Sequence, residues 1–208
     1  AVYSDLDFLV LGYYLEALYE KELVKIWEGI QEDHHLETLH FCVNNKPKFS
    51  KNRYAPTEKC PWRKKVLQGE VHDDNTWSLL GVSSHAGLFG SIHDVSRWGR
   101  ELRRSYYERG KGLAPSSIVR AYCRRSLPVT VGDWGYGFMK PSRSQSSAGK
   151  HFSASSVGHT GFTGTSFWWD PQKDLMIVIL SNRVHPSRKN QKFVALRPLI
   201  HDWIVQIL

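Results

Sequence analysis

Glycines 158, 161 and 164 frame the segment Gly158-His159-Thr160-Gly161-Phe162-Thr163-Gly164. A glycine directly after a small hydroxyl residue lets a ligand approach the backbone and removes a Cβ where a reacting carbonyl would lie. His159 offers a hydrogen-bond donor or a cation and Thr160 a second donor. The Phe162 N–H can point at developing negative charge. The pattern suits a site where a carbonyl sits against the backbone and develops negative charge. Phosphate binding is excluded as a motif, because neither G-x-x-x-x-G-K-[ST] nor G-x-G-x-x-G occurs.

Other polar groups have a structural reading. His72, Asp73 and Asp74 lack further ligands at metal spacing and read as organisers of a loop. The same holds for His34, His35, His40 and Cys42, which read as surface or packing residues. His85 lies between Gly81 and Gly87 and reads as a side chain that holds its loop by hydrogen bonds. Trp134, among Gly132, Gly135 and Gly137, is a candidate cleft residue. Arg183 is a candidate for a substrate carboxylate or for an internal ion pair.

The elements that must position these residues follow from periodicity. Leu6, Leu9, Val10, Tyr13 and Ala17 recur at helical spacing after the turn Tyr3-Ser4-Asp5, and a shorter helix is predicted over residues 22–27. Residues 31–75 hold Pro47, Pro56 and Pro61 without a sustained period and read mostly as loop. Ser91 and Asp94 form a capping box for a helix whose face is Val95, Trp98, Leu102 and Tyr106, stopped by Gly110 and Gly112. A further helix is predicted over 116–124. Short strands then follow at 155–159, 164–169 and 175–181, the last an apolar run expected to be central in its sheet. Phe193, Leu196, Ile200, Ile204 and Val205 make a closing helix. This is an α+β pattern, with a helical region at about 6–125 and a sheet with its closing helix at about 153–208.

With 208 residues, of which 41% are hydrophobic, the chain can bury a core. Its 28 basic and 20 acidic residues give a net charge of +8, concentrated in runs such as Arg63-Lys64-Lys65. No nucleic-acid module accompanies the charge, so it reads as a solvated surface. Cys42, Cys60 and Cys123 are an odd set without C-x-x-C, which argues against a disulfide framework or thiolate cage. The longest apolar run, Leu175 to Leu180, is too short to span a bilayer.

The chain resembles the serine β-lactamase-like family, which includes class C β-lactamases, penicillin-binding D,D-peptidases and related esterases. That family uses, in chain order, a Ser-x-x-Lys, a Tyr-x-Asn loop and a Lys/His-Thr/Ser-Gly strand. Tyr3-Ser4-Asp5 matches the second and His159-Thr160-Gly161 the third. Ala55-Pro56-Thr57-Glu58, Gly69 to Asn75, His85-Ala86-Gly87-Leu88-Phe89 and Ser181 to Pro186 fit the same pattern. The resemblance implies a β-lactamase/transpeptidase-like fold, with 1–208 as the C-terminal portion of one domain. It implies acyl transfer without cofactor or metal, Tyr3, Asp5, His159, Thr160, Gly161 and Phe162 as site residues, and an extracytoplasmic or periplasmic setting.

Two departures qualify this reading. Asp5 stands where the family has Asn, so it accepts a hydrogen bond but does not donate one when ionised. The Ser-x-x-Lys of the family precedes the tyrosine, and the single match in these residues, Ser147-Ala148-Gly149-Lys150, follows it in a Ser- and Gly-rich stretch. The expectation is therefore that an upstream segment or partner chain supplies the nucleophile and completes the sheet, and that these residues alone are inactive. The alternative is a non-catalytic binding or scaffolding protein that retains the cleft.

Overall fold

The structure, a computed structural model, describes residues 3–110 and 112–208. The chain packs as two compact units. Among the described residues one gathers the chain up to Val95 together with Val184–Arg188, and the other gathers Ser96–Arg183 with Lys189–Leu208.

The first unit opens with helix α1, Asp5–Tyr19. Ser4 is its N-cap, the hydroxyl accepting the Leu6 N–H at 3.2 Å, and Glu20 closes it in the left-handed region at φ 51°. The side packed on the unit is Phe8, Leu9, Gly12, Leu15 and Glu16. This corrects the apolar stripe read from the sequence, since Leu6, Val10, Tyr13 and Ala17 are exposed and only Leu9 of that stripe turns inward. α2, Leu23–Asp33, is longer than residues 22–27 and is joined to α1 by Glu16, whose carboxylate accepts the Leu23 N–H at 2.7 Å. Trp27 and Gln31 on α2 extend the helix by donating to the carbonyls of Leu39, at 2.7 Å, and Glu37, at 3.0 Å.

Short pieces follow. β1, His40–Phe41, pairs antiparallel with β4, Leu88–Phe89, and β2, Lys59–Cys60, with β3, Lys65–Val66; α3 covers Asp74–Ser78 between them. Buried Leu36, Leu39, Cys42, Tyr54, Cys60, Leu67 and Val71 hold this unit together.

Helix α4 runs Ile92–Tyr106. Half of the expected capping box forms, with the Asp94 N–H donating to Ser91 Oγ at 3.3 Å. The other half is rerouted. The Asp94 carboxylate accepts the Thr38 N–H at 2.6 Å and its hydroxyl at 2.8 Å, and Thr38 Oγ1 accepts the Ser91 N–H at 3.0 Å.

The second unit contains α5, Ser116–Cys123, then β5, Val157–Thr160, β6, Ser166–Asp170, β7, Leu175–Ile179, and α6, Lys192–Ile207. The three strands form one antiparallel sheet in the order β5-β6-β7, so the α+β pattern with its closing helix is present. Successive strand side chains face opposite ways. Trp169 and Val157 pack with Leu102 of α4 and with Val119 and Cys123 of α5; Trp168 and Ile177 pack with Ala148, Phe152 and, from α6, Ile204 and Val205. The central strand is β6, where Trp168 and Trp169 are both fully buried, rather than the apolar run of β7. Two successive antiparallel pairings place β6 between β5 and β7. Among the described residues no helix is long and apolar enough to cross a membrane.

Candidate functional site

In the second unit, His159 and Thr160 end β5, opposite Phe167 and Ser166. The chain then turns through Gly161 to Thr165, with the Gly161 N–H donating to the Thr165 carbonyl at 2.8 Å and the Gly164 N–H to the Gly161 carbonyl at 3.1 Å. Gly164 has φ +119°, a conformation side chains rarely adopt, and a Cβ there would run into Ser181 and the Arg183 backbone. Ser181 fastens the turn by donating its hydroxyl to the Gly164 carbonyl at 2.7 Å.

Phe162 projects from this turn, 58% exposed, with the Arg183 guanidinium 4.7 Å from its ring centre. Arg183 is buried and donates to the Asn190 carbonyl at 2.8 Å. His159 is half-buried, its Nδ1 3.0 Å from the Thr160 carbonyl and its ring 5.8 Å from that of Trp134. Burial holds the imidazole below its ordinary pKa, against the opposing pull of that carbonyl.

In the first unit, Tyr3 and Asp5 flank the Ser4 cap of α1. Burial, together with the charges of Asp5 and Asp73, raises the Tyr3 phenol above its ordinary value. Asp5 Oδ2 lies 3.9 Å from His85 Nε2, and Asp73 Oδ1 lies 3.0 Å from the same nitrogen. His85 Nδ1 is 2.7 Å from Ser83 Oγ. Ligand atoms of Asp5, Asp73 and His85 all fall within 4.8 Å of one another. Three separated motifs thus meet, a convergence that no sequence spacing signals.

Asp73 is placed by two devices. It caps α3, accepting the Thr76 N–H at 2.7 Å, and its loop is held by Arg63. The Arg63 guanidinium, 2% exposed, donates to the Val71 carbonyl at 2.6 Å and to Asp74 at 2.7 Å, and sits 4.8 and 4.9 Å from the rings of Trp62 and Trp77. Sequence reasoning passed over Arg63 as one of a basic run. The flanking tryptophans were the available signal, because a guanidinium stacks on aromatic faces.

His72 is turned away to Glu58, with its Nε2 3.2 Å from that carboxylate. His40 has one ring nitrogen at the Thr38 carbonyl and the other at Tyr54 Oη, both at 2.7 Å. Ser147 and Lys150 do not form a catalytic pair. Ser147 lies in a turn, Gly149 has φ +87°, and Lys150 is exposed with its N–H donated to Asp202 at 2.5 Å, so no helical turn stacks the two side chains.

A protein of Salmonella gallinarum named "Putative D-alanyl-D-alanine carboxypeptidase" is 30% identical over 232 aligned residues, which cover 98% of this chain and 52% of that protein. A protein of the same name from Salmonella typhi matches with the same identity and coverage. The chain therefore spans about half the length of the curated relatives it matches. A solved beta-lactamase from Mycobacterium bovis superposes with a TM-score of 0.68 at 18% identity, over 99% of this chain and 64% of that one. A hydrolase with promiscuous acyltransferase activity superposes with a TM-score of 0.63 at 15% identity, over 94% of this chain and 55% of that one. These likenesses show the fold. The Beta-lactamase family profile matches residues 1–197, and the chain belongs to that family.

Proposed function

We propose that these residues carry the tyrosine and strand elements of a serine acyl-transfer enzyme acting on an amide, ester or lactam carbonyl, with the Ser-x-x-Lys nucleophile located outside the 208 residues. The observation that carries this reading is the placement of His159-Thr160-Gly161 at the end of β5, leading into a fastened turn, in a chain of the beta-lactamase family.

The serine oxygen attacks the carbonyl carbon, and its proton passes by way of the lysine and Tyr3 to the leaving group. The oxyanion is held by the serine N–H and the Phe162 N–H. Water then adds to the acyl-enzyme, the acid departs, and the serine recovers its proton. Asp5 accepts from a substrate N–H.

His159 is mainly neutral at pH 7, because burial lowers its pKa from a value already near 6.5. A neutral imidazole donates or accepts a hydrogen bond without clamping a carboxylate. This favours peptide and ester carbonyls over substrates that need a cation beside the strand. The carboxypeptidase named among the relatives sets D-alanyl-D-alanine peptides as the comparison substrate.

The test expresses the protein from its own gene and exposes it to a chromogenic ester and a serine-directed probe. The expected result is one labelled serine outside these 208 residues, with turnover abolished when that serine becomes Ala and reduced about 100-fold or more by Tyr3→Phe. Stoichiometric labelling at Ser147 would overturn the proposal.

A further inference from the structure

All of the α1 stripe whose spacing points to a core, save Leu9, is left in solvent. Leu6, Val10, Tyr13 and Tyr14, at i, i+4, i+7 and i+8, are 68%, 67%, 59% and 61% exposed. Leu18, beside Tyr14 on the helix surface, extends the patch. The opposite side of the helix already packs on its own unit through Phe8, Leu9 and Leu15. A helix apolar on both sides belongs in a core, and a contiguous apolar patch on a folded surface marks a contact.

Two observations say what makes that contact. α1 carries Asp5, Asp7 and Glu16 and no lysine or arginine, whereas a helix that lies on an anionic membrane places basic residues around its apolar face. The relatives also carry a large share of polypeptide that nothing here matches, since this chain covers 52% of the Salmonella gallinarum protein and 64% and 55% of the two solved ones.

We propose that the exposed stripe of α1 docks a polypeptide segment with a complementary apolar face, the counterpart of the unmatched part of those relatives. This rests on the acyl-transfer reading, because docking at α1 brings the segment holding the nucleophile to the helix that starts beside Tyr3. Leu6, Val10, Tyr13 and Tyr14 have no part in the chemistry and serve only as its seat.

The experiment places a photo-crosslinker at Val10 (Val10→p-benzoylphenylalanine) in the protein expressed from its own gene, irradiates it and maps the joined peptides. Supporting cross-links run to residues outside these 208 that match the remaining part of the beta-lactamase relatives. Leu6→Lys and Tyr14→Lys, each introduced beside the crosslinker, then lower the yield about tenfold or more, as loss of one buried apolar side chain requires. Both sites are solvent-exposed in the unit, so circular dichroism of the protein expressed from its own gene is unchanged by either.

Cross-links between two copies of α1, to lipid, or to nothing overturn the proposal. Ester turnover on the same samples separates the two readings. A mapped cross-link without turnover leaves the docking surface standing and removes acyl transfer, and turnover without a cross-link does the reverse.

Discussion

Asp73 Oδ1 lies 3.0 Å from His85 Nε2 and 2.7 Å from the Thr76 N–H, so one carboxylate both caps α3 and holds the imidazole beside Asp5. Burial pushes its pKa up, but the Thr76 N–H and His85 outweigh that and hold it below the ordinary carboxylate value. Asp73→Asn retains a capping oxygen and removes the charge; Asp73→Ala removes both. The alanine variant should lose about 1 kcal/mol for the cap and about 1 kcal/mol more for the contact with His85, and the asparagine variant clearly less. Urea denaturation of the two variants checks this.

Glu58 governs the acid side of stability. Its buried carboxylate accepts from Arg188 Nε at 2.7 Å and lies 3.2 Å from His72 Nε2. The Arg188 guanidinium holds the Glu58 pKa below its ordinary value, with burial opposing. A depressed carboxyl contributes stability that is fully present above the unfolded value, about 4.3, and is lost as pH falls through the lower folded value. Glu58→Gln should cost about 2 kcal/mol at pH 7 and flatten the fall in stability below about pH 4. Parallel denaturant melts from pH 7 to pH 3 measure both effects.

Gly158 lies where a Cβ would strike the Phe167 carbonyl and the Trp168 ring. Gly158→Ala should destabilise by about 1–3 kcal/mol through overpacking against the central strand. Gly29, within α2 and with nothing near its Cβ position, is the control. Gly29→Ala should stabilise by about 0.5–1 kcal/mol, since alanine only restricts the unfolded chain there. Thermal unfolding of the pair discriminates packing from backbone entropy.

The His159 imidazole should titrate with a midpoint below about 6.5, read from its ring proton shifts and assigned by its disappearance in His159→Gln. Its folded pKa is depressed, so the neutral ring contributes stability above the unfolded value that is lost as pH falls through the folded one. In the active protein, His159→Lys should shift the ratio of rates on carboxylate-bearing peptides and neutral esters toward the peptides. An unchanged ratio would show that this position does not set the preference.

How much was legible depended on whether the signal was local. The start of α1 after Tyr3-Ser4-Asp5, the α4 face of Trp98, Leu102 and Tyr106, and the three strands were readable, because turns and periodicity are written within a few residues. The orientation of α1 was not, since an apolar stripe marks what should be covered without saying which unit covers it. The adjacency and antiparallel pairing of the three strands were legible because turn residues separate them at short spacing. At the site, His159-Thr160-Gly161 could be read as a motif, whereas the meeting of Asp5, Asp73 and His85 depends on folding across dozens of intervening residues.

The segment Val184–Arg188 belongs with the first unit although the chain on either side of it belongs with the second. Within that unit it supplies Arg188 to Glu58, and the Pro186 carbonyl accepts the Lys59 N–H at 2.8 Å. The units are thus braided in sequence, and no single cut separates them. A fragment ending at Val95 would keep Glu58 and lose its guanidinium, leaving a carboxylate placed for an ion pair with no cation to meet it. The first unit is therefore not a portable module: a gene fusion, permutation or truncation at its apparent boundary would have to carry these five residues along.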